Sequence, residues 1–153
     1  MTPEMHVNII RRLASLLYDS LLVLAVIFIA GAAFSLLATG GSISQPHQSA
    51  QLTVLQGPLR YVFQLYLLVV GAGYYVLFWV KRGQTLGMKT WRIRLERNDG
   101  SKVDLKTAIL RALYALPSYG LGIGVVWALF DRQGQYLHDR LAGTRLVNQP
   151  PKK

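Results

Sequence analysis

The feature that most constrains this chain is an apolar run from about residue 13 to residue 38 in which Asp19 is the one charged residue. At 1.5 Å per residue, about 20 helical residues cross a hydrocarbon core of about 30 Å. The run therefore predicts a first membrane-spanning helix, long enough to cross with a tilt. A secretory signal peptide is the competing interpretation. Its apolar region is about 7–15 residues long and rarely carries an acid, which argues against it here.

A second apolar run occupies residues 59 to 80, and aromatic residues crowd both of its ends, as in the aromatic belts of membrane proteins. The stretch between the two runs, residues 40 to 58, contains no Lys or Arg, whereas residues 81 to 104 are strongly basic. Because basic loops stay on the cytoplasmic side, we expect residues 40 to 58 to be an external loop and the N-terminus to be cytoplasmic. These patterns predict a multi-pass protein of the cell inner membrane.

The composition supports the membrane class and argues against a nucleic-acid binder. Hydrophobic residues make up 52% of the chain and charged residues 16%, against about 25% charged residues in soluble domains. The formal net charge is +10, and the basic residues lie beside the apolar runs rather than being spread over a soluble fold. We therefore expect a basic cytoplasmic face that attracts anionic lipid, and no nucleic-acid partner.

The motifs that carry enzyme chemistry are missing from the sequence. No cysteine is present, which excludes disulfides and thiolate metal sites, and the three histidines are dispersed along the chain. There is no GxSxG, P-loop or HExxH pattern. We therefore expect neither an enzyme nor a bound cofactor or metal.

The basic stretch contains a strand signal. The segment WRIRLE alternates apolar and charged residues and is followed by Asn-Asp-Gly. Alternation followed by Asp-Gly predicts a small cytoplasmic β-hairpin, at roughly residues 90 to 104. Two other interpretations stay open: the stretch lies on anionic lipid as a basic amphipathic segment, or TRLV near the C-terminus adds a strand to WRIRLE.

A third apolar segment, residues 105 to 130, is long enough to cross but is interrupted by Pro117 and a glycine cluster. The tail that follows, residues 131 to 153, is basic, and a crossing would place it outside. We therefore favour a broken helical hairpin that returns to the cytoplasmic side over a third crossing kinked at Pro117. The predicted fold is a single all-α integral membrane domain over residues 1 to 153, with two transmembrane helices, this broken third segment and the small β-hairpin.

Asp19 lies seven residues after Arg12, about two helical turns, so both share one helix face with Ser15 between them. An axial separation of about 10 Å is too long for an i,i+4 pair, so each is expected to meet another element. A mid-helix acid costs about 2.5–3.5 kcal/mol on insertion scales and normally faces protein or a water-filled cavity. Asp19 is therefore either a structural partner of a cation such as Arg111 or a ligand- or proton-binding group, and Arg12 is either its companion or a topology anchor.

Three further polar residues are candidates for the same site. Asp139, in GQYLHDRLAGTRLV, lies in a predicted short amphipathic helix that either packs on the surface or ties its carboxylate to Arg12 or Arg111. Asp131, in FDRQGQ, is interpreted as a turn residue at the membrane edge and is a secondary candidate. Gln64, in the second apolar run, is expected to make an interhelical hydrogen bond rather than bind a ligand.

Four segments in this order resemble the RDD family of small membrane proteins, which is named for one arginine and two aspartates. RRLASLLYDSLL matches the opening pattern, GQTLGMKTWRIRL the cytoplasmic segment after the second helix, and DLKTAILRALYALP and GQYLHDRLAGTRLV the closing region. The resemblance implies that Arg12 is the named arginine, that Asp19 is the first aspartate, and that Asp139, rather than Asp131, is the second.

What the resemblance implies for function is transport, because some members of the family are reported as sodium/proton antiporters. The corresponding hypothesis is cation/proton exchange in which Asp19 titrates or binds the ion while Arg12 and Asp139 tune its charge. Two or three helices enclose little space, so this hypothesis requires a homo-oligomer. The alternative is a non-catalytic membrane scaffold or accessory subunit that binds anionic lipid or a protein partner.

Overall fold

The computed structural model describes residues 7–38, 57–120, 127 and 135–149. Among these residues, two helices are long and apolar enough to cross a membrane: α1, Ile9–Ala38, and α2, Leu59–Arg82. Both predicted apolar spans are therefore helical, and each helix extends a few residues into flanking polar sequence. Most of the predicted external loop, residues 40 to 58, lies outside the described residues.

The chain divides into two compact units, and the first of these, Leu21–Tyr74, consists of parts of α1 and α2. Aromatic side chains pack between the helices: the ring centroid of Phe34 lies 5.1 Å from that of Phe63 and 5.4 Å from that of Tyr66. Large apolar side chains such as Phe28 and Leu65 remain exposed along these helices. Such continuous exposed apolar surface is stable against lipid tails rather than water.

The other unit comprises Met1–Ser20 and Tyr75–Lys153, and contains the shorter elements. In chain order these are α3, Leu86–Thr90; β1, Ile93–Arg97; α4, Leu105–Gly120; α5, Leu137–Leu141; and β2, Thr144–Asn148. The strands β1 and β2 pair in an antiparallel sheet, with Leu95 opposite Leu146. The short helix predicted around Asp139 is confirmed as α5.

The strand predicted in WRIRLE is confirmed, but the predicted local hairpin is wrong. The chain does turn after β1, where Gly100 has a φ of +82° and its N–H donates to the Arg97 carbonyl. After the turn, however, the Asp104 carbonyl accepts the N–H of Ala108 in a helical hydrogen bond, so this stretch begins α4. The strand that pairs with β1 is therefore β2, near the C-terminus. This confirms the alternative in which TRLV adds a strand to WRIRLE.

The sequence predicted a helix break at Pro117. Helix α4 instead continues through Pro117 and ends at Gly120. Pro117 is exposed, which leaves room for its ring outside the packed face of the helix. Residues 121–126 and 128–134 lie outside the described residues. Whether the third apolar segment returns or crosses therefore stays a prediction.

The interior of this second unit is unusually polar. An apolar cluster includes Trp79, Met88, Ile93 and Leu95. Among the described residues, however, nine polar or charged residues are buried beside eight apolar ones. Buried polar groups are costly unless they are hydrogen-bonded or paired, so the partners of these residues define the site.

Candidate functional site

Helix α1 contributes three buried residues to this interior: Arg12, Ser15 and Asp19. They are spaced by three and four residues, so they lie on one helix face, as predicted. Only 5% of Arg12 and 3% of Asp19 is exposed, whereas neighbouring Leu17 and Leu21 are largely exposed. One end of an apolar helix therefore carries a narrow polar stripe turned towards protein.

The Asp19 carboxylate is bound at the start of α3. Its Oδ1 accepts the backbone N–H of Gly87 at 2.9 Å, and its Oδ2 accepts the hydroxyl of Thr85. The same Thr85 hydroxyl caps α3 by accepting the N–H of Met88 at 3.2 Å. Thr85 therefore holds both the helix and the carboxylate, which explains why Asp19 tolerates burial.

The approach of α3 to α1 requires glycine at position 87. A Cβ atom on Gly87 would lie 2.5 Å from the carbonyl oxygen of Ser15 and 2.8 Å from Cγ of Asp19. Both distances are far shorter than a van der Waals contact. Without a side chain at this position, the Gly87 N–H reaches the Asp19 carboxylate directly.

A second buried carboxylate, Asp139, pairs with Arg111. Nε of Arg111 donates to Oδ1 of Asp139 at 2.8 Å, and Nη2 donates to the same oxygen. The guanidinium carbon lies 4.2 Å from the ring centroid of Trp79, a cation–π contact. Asp139 is fully buried, and its Oδ2 finds no hydrogen-bond donor among the described residues. Of the two predicted cationic partners, the structure pairs Arg111 with Asp139.

The buried imidazole of His138 lies beside this ion pair. Nδ1 of His138 lies 3.1 Å from the hydroxyl oxygen of Ser118, and Nε2 lies 3.7 Å from Oδ1 of Asp139. Burial is the main cause that lowers the pKa of His138; Asp139 opposes it, Arg111 and Arg12 add to it, and the net pKa is about 4. The ring is therefore neutral at neutral pH and adds no charge to the site.

Tyr136 connects Arg12 to the same group of residues. The guanidinium carbon of Arg12 lies 5.6 Å from the Tyr136 ring centroid. The Tyr136 ring stacks on His138, with centroids 5.4 Å apart and planes 11° apart. Four buried charged residues, Arg12, Asp19, Arg111 and Asp139, are called the charged cluster below. Because His138 is neutral, the two arginines and two aspartates of the cluster add up to no net formal charge, which a low-dielectric interior favours.

Two predicted residues remain, Asp131 and Gln64, and neither can be assigned to the charged cluster from the described residues. Asp131 lies outside the described residues, and Gln64 is an exposed residue of α2 in the other compact unit. Among the described residues, no group of three or more His, Cys, Asp and Glu side chains could hold a metal ion. The sequence interpretation overlooked Thr85 and Gly87. The available signal was a threonine immediately before a short helix, the usual N-cap pattern.

The structure has two long apolar helices, and one end of the first helix carries buried charged residues. These features are those of a small membrane protein. The chain belongs to the RDD family, whose family model matches residues 7–143. The matched range contains all four residues of the charged cluster. Searches of curated proteins and of solved structures returned no match to this chain.

Proposed function

We propose that this RDD protein exchanges a cation for a proton across the cell inner membrane, as a homo-oligomer with a cytoplasmic N-terminus. The observation that carries the proposal is the position of Asp19, an ionisable residue buried within the long apolar part of a candidate span. Ionisable groups in such spans are costly and commonly mark ion or proton pathways. We propose no enzymatic activity for this protein.

The partners of Asp19 suit a group that changes its protonation state. The Thr85 hydroxyl and the Gly87 N–H are neutral donors, so they position the carboxylate without adding positive charge. A hydroxyl both donates and accepts, and a protonated carboxyl gains a donor while keeping an acceptor oxygen. Thr85 can therefore hydrogen-bond Asp19 in either state. A carboxylate that binds a proton or a cation, but not both, couples their movements.

The second carboxylate sets the charge of the surroundings. Arg111 neutralises Asp139 through its hydrogen bonds to Oδ1, whereas Oδ2 of Asp139 remains a buried acceptor without a described donor. A cation passing nearby would satisfy that oxygen. We therefore assign Asp139 a supporting role in the same exchange. The homo-oligomer is proposed because two long helices alone enclose little space for a pathway.

Cation-driven proton flux tests this proposal. Purified protein in liposomes, with a trapped pH-sensitive dye, would receive imposed sodium, lithium or potassium gradients. We expect flux from the parent protein and none from Asp19→Asn or Asp139→Asn. Asp99→Asn is the matched control, because it removes one carboxylate from an exposed position and should leave flux unchanged. Circular dichroism and gel filtration would establish that each variant is folded.

A non-catalytic scaffold is the second candidate, and a specific observation favours it. Each buried carboxylate joins two separate elements: Asp19 connects α1 to the start of α3, and Asp139 connects α5 to α4 through Arg111. Such contacts stabilise a fold without any transport. If well-folded parent protein gave no flux above empty liposomes for any cation, while Asp19→Asn lost stability or assembly, the scaffold would replace the exchanger.

A further inference from the structure

The end of α3 and the turn that follows it expose one aromatic and two basic side chains. Helix α3 buries Gly87 and Met88 on one side, whereas Lys89 and Arg92 are exposed and Trp91 is 37% exposed. We call Lys89, Trp91 and Arg92 the basic turn. A tryptophan flanked by cations is the composition found where proteins meet the headgroup layer of a membrane.

The backbone of the basic turn is held in place from two sides. The Arg11 guanidinium donates to the Trp91 carbonyl, and the N–H of Gln149 donates to the Arg92 carbonyl at 2.8 Å. Arg92 has a φ of +54°, in the left-handed region that residues with a Cβ rarely adopt. These bonds hold an unfavourable conformation, and the three side chains consequently project from a fixed backbone.

The contacts of α3 also set the level of the basic turn along α1. Position 87 lies against Ser15 and Asp19, whereas the Trp91 carbonyl is bound by Arg11. Between Gly87 and Trp91 the chain therefore runs alongside α1 towards the N-terminal end of that helix. The corresponding length of α1, from Asp19 to Arg11, is about 12 Å. The basic turn consequently lies beside the beginning of the membrane helix.

The exposed surface of α1 changes from polar to apolar at that same level. Asn8, immediately before α1, is exposed, and its side chain accepts the N–H of Ile10. Ile10 is 67% exposed and Leu13 is 42% exposed, so the lipid-compatible surface begins there. A boundary between polar and apolar surface at the start of a membrane helix marks the headgroup layer.

We propose that the basic turn binds the phosphate headgroup of an anionic phospholipid. Lys89 and Arg92 supply positive charge to the phosphate, and Trp91 places its amphipathic ring between the headgroups and the acyl chains. This inference is independent of ion exchange, because it rests on exposed residues outside the charged cluster.

Quenching of tryptophan fluorescence by brominated lipids tests the proposal. The protein would be placed in nanodiscs of phosphatidylcholine containing increasing brominated phosphatidylglycerol or, in parallel, brominated phosphatidylcholine. The difference between the parent and Trp91→Phe isolates the signal of Trp91. We expect stronger quenching by the anionic lipid. We also expect the apparent association constant for it to fall about thirty-fold in Lys89→Gln/Arg92→Gln, since each basic residue near the surface contributes about 1 kcal/mol.

The matched control removes the same charge elsewhere. Lys102→Gln/Lys106→Gln replaces two exposed lysines outside the basic turn and should keep the preference of Trp91 for anionic lipid. An equal loss in this control would attribute the preference to net charge and overturn the proposal. So would equal quenching by both lipids, or no Trp91 signal in the difference. Relief of quenching by millimolar inorganic phosphate would assign the turn to soluble phosphate instead of lipid.

Discussion

Replacing Gly87 with alanine tests the central packing contact between α1 and α3. The added methyl would lie 2.5 Å from the Ser15 carbonyl oxygen and 2.9 Å from Oδ1 of Asp19. The two helices must separate to accept it, and the separation lengthens the 2.9 Å bond from the Gly87 N–H to that same Oδ1. Gly87→Ala therefore produces overpacking and breaks a charge-assisted hydrogen bond at once.

The two costs set the expected magnitude. Overpacking a well-packed interior costs about 1–3 kcal/mol, and a hydrogen bond to a charged group contributes about 1.5–3 kcal/mol. Because one movement causes both losses, we expect the free energy of unfolding to fall by about 3 kcal/mol rather than by the mid-range sum of about 4 kcal/mol. The measurement is unfolding in mixed micelles by increasing sodium dodecyl sulfate, followed by circular dichroism.

Gly73→Ala is the matched control for this prediction. It adds the same methyl within α2, and among the described residues a Cβ at position 73 would meet no atom within 4 Å apart from the neighbouring backbone of its own helix. Alanine is favoured over glycine inside a helix by about 1 kcal/mol, so the control should be neutral or slightly stabilising. Close packing at position 87 would be refuted if Gly87→Ala unfolded like the parent, or if Gly73→Ala lost as much stability.

Three further predictions concern the buried polar groups. Arg111→Leu should cost about 3–5 kcal/mol of stability in the same unfolding assay because it leaves the Asp139 carboxylate unpaired, and adding Asp139→Leu should restore most of it; additive losses would contradict the pairing. Thr85→Val should cost about 2 kcal/mol by removing the hydroxyl that both caps α3 and binds Asp19, whereas Thr85→Ser should stay near the parent; equal losses would show that the hydroxyl is not responsible. Because burial lowers the pKa of His138 from 6.5 to about 4, the unfolded chain binds more protons between these values. The His138 contribution to stability is therefore fully present above pH 6.5 and falls by up to about 3 kcal/mol as the pH drops to 4. His138→Gln should remove this pH dependence, and an unchanged dependence in that variant would contradict the assignment to His138.

Much of the charged cluster could be anticipated from local patterns. Helical periodicity was enough to place Arg12 and Asp19 on one face and to predict that each meets another element. The partners could not be chosen in advance, since Arg12 and Arg111 were equally available to Asp139. The structure pairs Arg111 with Asp139, and it binds Asp19 through Thr85, a residue with no distinguishing charge.

The sheet shows the same limit for the backbone. Alternating residues identified β1, and Asp-Gly identified the turn after it, because both signals act over a few residues. The pairing partner is a non-local choice, and β2 was only one of the available alternatives. Helix α4 begins directly after Asp104, so the residues after the turn do not form a strand beside β1. Strand β2 pairs with β1 instead, with Leu146 opposite Leu95.

The two candidate membrane spans and the polar stripe at the start of α1 follow from local sequence patterns alone. The lengths of the spans follow from bilayer thickness and the stripe follows from the helical repeat, and neither depends on contacts with distant residues. The donors that bind Asp19, the cation that neutralises Asp139 and the strand that completes the sheet are fixed by long-range packing instead. These choices depend on which distant groups can satisfy one another when they are buried together, and the cost of leaving a buried polar group unpaired selects the answer.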